Sequence, residues 1–224
     1  MPIVNRNDVP QGLLMGEYGI PGSGKTGLAA GFAKYMFETT GKPVLYGDWE
    51  NGERVIPASV PLVLWVPDAT KDALDEAQEF LMEARKDIYS GIVTDTISSM
   101  ADAMLSSISM KNLNTEGKAT QRMKAMTGAG RVINHSTLAD YGMAVVAFQQ
   151  WAAGHLVLLQ QGKHAVWCAH EKMVGIENEN GTSDILGGPD IVGSKLTRSA
   201  PKLVQVLLRI VVRKTAQGIE RRLA

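Results

Sequence analysis

The sequence predicts an α/β fold, a mainly parallel central sheet flanked by helices, with a β-hairpin at its C-terminal end. Short apolar runs alternate with helix-period segments, the pattern of repeated βαβ units. A glycine-rich loop, Gly19-Ile20-Pro21-Gly22-Ser23-Gly24-Lys25-Thr26, stands between an apolar run and a helical one. Near the other end, the run Val204–Ile210 continues through Val211-Val212-Arg213-Lys214. A turn signal at Gln217-Gly218 follows, then Ile219 to Ala224, which together read as a hairpin. A length of 224 residues suits one such domain, 1–224, with a sizeable buried core.

The elements follow in order. Leu13 to Tyr18 is short and mostly apolar, so it reads as a buried strand. Gly27 to Met36 continues as a helix, with Leu28, Phe32 and Tyr35 at helical spacing. Gly41-Lys42-Pro43 stops that helix, and Val44 to Asp48 makes a second strand. Val60 to Val66 is a third strand with prolines near its ends. Lys71 to Lys86 is a helix whose buried stripe is Leu74, Ala77, Leu81 and Ala84. Gly91 to Asp95 is a fourth strand and Ser98 to Ser109 a helix rich in Met and Ala. Asp140 to Gln161 reads as a long amphipathic helix, and Ala165 to His170 as a fifth strand. Met100, Met104 and Trp151 on these helices are expected in the core.

The glycine loop has the form G-x-x-x-x-G-K-T of a phosphate-binding P-loop. Its mechanism needs a preceding strand and a following helix, so that backbone N–H groups and a helix N-terminus converge on a phosphate chain. Gly19, Pro21, Gly22, Ser23, Gly24, Lys25, Thr26 and Gly27 are the candidate nucleotide-binding residues. Lys25 reaches the terminal phosphates, and the hydroxyl of Thr26 is a magnesium ligand. The expected cofactors are ATP and Mg2+.

Composition bounds the rest. The chain carries 23 basic and 23 acidic residues, so any DNA contact must come from a local patch. The single cysteine, Cys168, lies in the apolar run Ala165-Val166-Trp167-Cys168-Ala169 and reads as a core thiol. No internal disulfide is possible, which suits a reducing cytoplasm. No apolar run reads as long enough to span a bilayer, and the N-terminal residues lack a signal peptide's apolar segment. The expectation is a cytoplasmic protein.

A magnesium-dependent phosphate site needs a carboxylate at a strand end near the P-loop hydroxyl. Asp95, after Ile92-Val93-Thr94, is the candidate for this Walker B role; a turn aspartate before a helix capped by Thr96 or Ser98 is the competing reading. Hydrolysis also needs a base for the attacking water. Glu50 closes Asp48-Trp49-Glu50 after the second strand, at the sheet edge where open α/β folds gather ligands. Asn51-Gly52 behind it leaves an ordinary turn as the alternative. His170, ending the fifth strand, is placed to touch the γ-phosphate; a structural histidine, or a polar role taken by Glu171, competes. Lys25, Glu50 and His170 are thus the catalytic candidates, and Thr26 and Asp95 the metal ligands.

This constellation resembles the RecA-type P-loop ATPase core: the P-loop, a strand ending Asp48-Trp49-Glu50, then Asp95-Thr96, then a strand ending in a polar residue. The resemblance implies a RecA-like fold in which Glu50 activates water, Asp95 is the Walker B aspartate and His170 is the polar sensor. RecA itself carries a glutamine at the sensor. Asp140-Tyr141-Gly142 with the long helix, and Gly162 to Glu171, are similar to compact phage RecA-like proteins linked to single-strand annealing, the Sak-four group. Gly193-Ser194-Lys195-Leu196, Pro201 and the strand Val204 to Ile210 extend that likeness, which covers most of residues 12–212.

Two stretches fit a compact sheet poorly. Lys111–Leu138 is long and basic, with Lys111, Lys118, Arg122, Lys124 and Arg131 against Glu116 alone; residues 172–201 are Gly-rich and mixed in charge. The family places flexible DNA-binding loops at these two positions, so the resemblance implies single-stranded DNA as partner and a ring or filament of identical subunits. It also implies a basic residue reaching a neighbour's ATP site, for which Lys195, Arg198 and Lys202 are candidates. A nucleotide-dependent switch acting on a protein partner and a small-molecule kinase are the rival readings.

Overall fold

A computed structural model of the chain describes residues 12–115, 136–177, 183–192, 197, 202–215 and 218–224. The strands are β1 (Leu14–Gly19), β2 (Val44–Asp48), β3 (Leu62–Trp65), β4 (Gly91–Asp95), β5 (His164–Glu177), β6 (Ser183–Pro189), β7 (Val206–Thr215) and β8 (Gly218–Leu223). The helices are α1 (Lys25–Thr40), α2 (Ala73–Ala84), α3 (Ile97–Thr115) and α4 (Leu138–Gln160).

The sheet runs β3-β2-β4-β5-β1-β7-β8, parallel from β3 to β7 and antiparallel between β7 and β8. This is the mainly parallel sheet with a C-terminal hairpin that the alternating pattern predicts. Alternation along each strand divides the core into two layers. Leu14, Leu45, Ile92, Ala165, Trp167 and Ala169 face the layer of α2, α3 and α4, where Phe80, Met100, Met104, Phe148 and Trp151 pack. Met15, Val44, Tyr46, Val93, Val166 and Cys168 face α1.

Helix α1 starts at Gly24, with φ 101°, and stops at Gly41, with φ 70°, whose N–H donates to the Phe37 carbonyl. Glycine occupies such left-handed positions without Cβ strain. The buried face of α1 is Ala29, Ala30, Ala33 and Met36 rather than the stripe of Leu28, Phe32 and Tyr35, and Tyr35 is 60% exposed. Small alanines let the helix axis approach the sheet closely. Helix α2 is capped by Asp72, which accepts from the Leu74 N–H at 2.8 Å, and buries Ala77, Phe80, Leu81 and Ala84; Leu74 is only partly covered. The third strand is shorter than the sequence predicts and forms an edge, with Val63 and Leu64 exposed.

Three further expectations change with the structure. The basic stretch Lys111–Leu138 does not begin as a loop, because α3 continues to Thr115 and Lys111 pairs with Asp72 at 2.7 Å. It ends in a capping box: Thr137 accepts from the Asp140 N–H, and Asp140 accepts from the Thr137 N–H. Residues 116–135, with Lys118, Arg122, Lys124 and Arg131, lie outside the described residues.

In the second stretch, residues 172–177 prolong β5 and pair with β6 as an antiparallel ribbon. Thus β5 serves two pairings, parallel up to His170 and antiparallel beyond it. Finally, α4 has 23 residues and is apolar enough that by length and composition alone it does match a bilayer span. Gln149, Gln150 and His155 interrupt its apolar run and hide this in the sequence. Here Ala144, Phe148, Trp151 and Leu158 are buried against the sheet and its neighbouring helices.

Candidate active site

Parallel strands end together, and the registers line up the ends of β1, β5, β4 and β2. Gly19 lies beside His170, Cys168 beside Asp95, and Asp95 beside Asp48. Residues far apart in sequence therefore meet at one carboxyl edge, where open α/β folds bind ligands.

The P-loop leaves β1 at Gly19 and turns by the Ser23 N–H donating to the Ile20 carbonyl at 3.1 Å. Lys25 is buried, and its Nζ donates to the Gly19 and Ile20 carbonyls at 3.2 and 3.3 Å. The ammonium is thus held across the mouth of its own loop. Ser23 Oγ is buried with no hydrogen-bond partner among the described residues, an unpaired hydroxyl inside a loop of N–H donors. Thr26 Oγ1 donates to Asp95 Oδ2 at 2.6 Å. A hydroxyl and one carboxylate converging on a point fit Mg2+, which takes few protein ligands and completes its shell with water and phosphate. Among the described residues no group of three or more His, Cys, Asp or Glu forms a metal cluster. The donor set therefore matches a nucleotide-bound ion rather than a cage made by protein alone.

Glu50 and His170 form the second half of the site. His170 Nε2 donates to Glu50 Oε1 at 2.6 Å, Thr96 Oγ1 donates to the same oxygen at 2.9 Å, and Ser99 Oγ donates to it as well. Burial raises the Glu50 pKa, but the hydrogen bonds from Ser99, His170 and Thr96 outweigh it and hold the carboxyl below the usual glutamate range. Asp48 shapes the turn that presents Glu50: its carboxylate accepts from the N–H groups of Glu50, Gly52 and Glu53 at 3.1, 2.8 and 3.1 Å. The Trp49 N–H donates to the Asp95 carbonyl at 2.7 Å and pins the turn to β4. Adjacent residues Asp95 and Thr96, joined by a cis peptide bond, carry one contact to each half of the site.

The structure thus brings together Lys25, Thr26, Asp95, Glu50 and His170. It does not bring Glu171 to them, because that carboxylate is buried against Arg209 at 2.5 Å. Of the basic candidates for reaching a neighbour, Lys195 and Arg198 lie outside the described residues. Lys202 is exposed and lines a cleft with Leu14 at the amino end of β1, away from the P-loop edge.

Several polar groups at the site escape a reading by motif. Tyr46, on β2, donates its hydroxyl to Asp95 Oδ2 at 2.5 Å. Glu17, on β1 beneath the P-loop, is buried, and its Oε1 accepts from the Cys168 thiol at 3.1 Å. Burial pushes its carboxyl up to about 8, reinforced by Asp95 and opposed by Cys168 and Lys25. Burial, with the charges of Glu17 and Asp95, likewise pushes the Cys168 thiol up, so the core reading of this cysteine fits its surroundings. Period-2 alternation was the available signal, since it sets Glu17, Tyr46 and Cys168 on the α1 face. Arg221, from β8, lies against Gly24 of the P-loop; no local pattern relates the two ends of the chain.

No protein-family model matches this sequence, and no curated protein matches it. Among solved structures it is similar to a KaiC-like protein from the hyperthermophilic archaeon Pyrococcus horikoshii OT3. The TM-score is 0.53 at 14% sequence identity, over 96% of this chain and 78% of that one. The likeness is one of fold: the chain has a RecA-like P-loop core, a mainly parallel sheet flanked by helices.

Proposed function

We propose that this protein binds ATP with Mg2+ and hydrolyses it. The observation that supports this best is the meeting, at one sheet edge, of the P-loop lysine, the Thr26–Asp95 pair and the ionised Glu50. Terminal phosphates would lie along the loop N–H groups and the α1 N-terminus, with Lys25 exchanging loop carbonyls for phosphate oxygens. Thr26 and Asp95 would hold the Mg2+, which neutralises charge on the phosphates. Glu50 Oε1 is occupied by three donors, whereas Oε2 has no hydrogen-bond partner among the described residues. That second oxygen would take the proton of the attacking water. His170 keeps the carboxylate oriented and, as the sensor, would respond to the γ-phosphate.

The finer reading is a cytoplasmic phage-type protein that acts on single-stranded DNA in recombination or annealing, as a ring or filament. It is supported by the resemblance to the Sak-four group and by the basic residues that follow α3. A nucleotide switch with little turnover is the second reading, favoured by the latch-like engagement of Glu50 Oε1. ATP turnover with and without single-stranded DNA, alongside sizing of the particle with ATP, tests these readings. Turnover stimulated by DNA in an assembled particle supports the first. Tight binding with negligible turnover under both conditions supports the switch.

A further inference from the structure

We propose that the space between the P-loop and the C-terminal hairpin is a nucleoside subsite, in which the Arg221 guanidinium stacks on the base of the bound nucleotide. The inference rests on the nucleotide-binding reading above and extends it to the other end of the ligand. A cavity of about 270 Å³ lies here, bounded by Ser23 and Gly24 of the loop, Leu28 of α1, Ile210 of β7, and Arg221, Arg222 and Leu223 of β8. Ile210 and Leu223 are cross-strand partners, and Arg221 stands two residues before Leu223 on the same face of β8. The hairpin therefore sets an apolar step and Arg221 on one face toward the start of α1, while Arg222, which also lines the cavity, is held by Glu220.

Arg221 packs directly over the loop: a Cβ added at Gly24 would meet its Cδ at 3.3 Å and its Nε at 3.4 Å. The side chain is exposed and makes no hydrogen bond or ion pair with the described residues. The neighbouring arginines are engaged, Arg222 with Glu220 at 2.8 Å and Arg209 with Glu171 at 2.5 Å. Among the described residues no carboxylate lines the cavity. Its chemistry is a planar, weakly hydrated cation above aliphatic walls, which matches the flat face of a heterocyclic base. The loop N–H groups and Lys25 already account for the phosphates, so the ligand part that passes Gly24 and Leu28 is the nucleoside. Among the described residues no aromatic side chain lines the cavity, and Arg222 is paired with Glu220, so Arg221 is the stacking partner there.

The test is calorimetric binding of Mg–ATP and of Mg–tripolyphosphate, which has the phosphates without the nucleoside. The parent chain is compared with Arg221→Ala and Arg221→Lys. We expect Arg221→Ala to weaken ATP binding about tenfold, the scale of a desolvated cation–π contact, and to leave tripolyphosphate unchanged. Retained tripolyphosphate binding also shows that the variant is folded. Arg221→Lys should resemble the alanine variant, since lysine keeps the charge but loses the planar face. Equal losses for both ligands, a lysine variant that matches the parent, or no loss for ATP would each overturn the subsite. A parent that binds tripolyphosphate and ATP equally well overturns it too. A parent that binds neither overturns the nucleotide reading itself, and the subsite with it.

Discussion

Tyr46 and Thr26 donate to the same oxygen, Asp95 Oδ2, at 2.5 and 2.6 Å. Tyr46 stands on β2 with its ring in the α1 layer, beside β4 in parallel register. Burial and the charge of Asp95 raise its phenol far above the usual tyrosine range, so it remains a donor at every working pH. The carboxylate is held from two sides before any ion arrives, as ligands oriented by outer hydrogen bonds are.

Tyr46→Phe should therefore raise the Mg2+ concentration needed for half-maximal ATP turnover by about 10-fold or more, the range for losing an outer partner of a metal ligand. A magnesium titration at saturating ATP reads this. An unchanged midpoint would make the hydroxyl a matter of stability alone.

Lys25→Ala should abolish nucleotide binding or turnover, because it removes the cation that offsets phosphate charge. Binding isotherms and phosphate release on the folded variant check it. Unaltered affinity and rate would remove the P-loop assignment.

Glu50→Gln should keep ATP binding and slow hydrolysis by about a hundredfold or more, the scale of a lost general base. Single-turnover assays separate the two. Normal turnover here, with Asp48→Asn or Glu171→Gln inactive, would move the base elsewhere; the turn-shaping contacts of Asp48 predict instead that Asp48→Asn acts through local structure.

Glu17 makes stability depend on pH. Its carboxyl is raised from 4.5 to about 8 in the folded state, so the native chain keeps a proton that the unfolded chain releases. Stability from this group is full below pH 4.5 and falls as the pH rises toward 8, by up to about 1.4 kcal/mol per pH unit. Glu17→Gln should therefore gain on the parent in denaturant midpoint as pH rises from 5 to 8. A constant difference across that range would show that Glu17 is not protonated in the fold.

If single-stranded DNA binds, neutralising Lys118, Arg122 and Lys124 together should weaken binding and flatten its salt dependence. The change is up to about three contacts' worth, each adding a slope near 0.7. Anisotropy titrations with a labelled oligonucleotide at several salt concentrations, with ATP bound, measure it. Parent-like binding would exclude this stretch as the DNA site.

The parallel sheet and its order of elements were legible because each strand is a short apolar run between breakers, and because the glycine loop marks the first βα turn. The edge cluster of Lys25, Thr26, Asp95, Glu50 and His170 was legible for a related reason: in a parallel sheet, polar residues that close strands gather at one edge. Helix faces were less legible. On α1 the apolar side chains Leu28, Phe32 and Tyr35 suggested a stripe, but close approach to the sheet selects Ala29, Ala33 and Met36. The support beneath the site was hidden, since Tyr46, Glu17 and Cys168 look like ordinary strand residues until neighbouring strands are laid side by side. Arg221 meets Gly24 only through the hairpin's return along β7.

The double pairing of β5 makes His170 a junction. From Glu171 to Glu177 the strand leaves the parallel sheet and runs out as one side of the ribbon with β6. At about 3.3 Å per residue that stretch extends roughly 23 Å from His170. Two links hold that junction: Ser98 Oγ accepts from the His170 N–H at 2.9 Å and donates to the Asp190 carbonyl at 2.6 Å, and the Asp190 N–H donates to the His170 carbonyl at 2.6 Å, where the ribbon returns. The residue that donates to Glu50 is therefore also the residue at which β5 exchanges parallel for antiparallel partners.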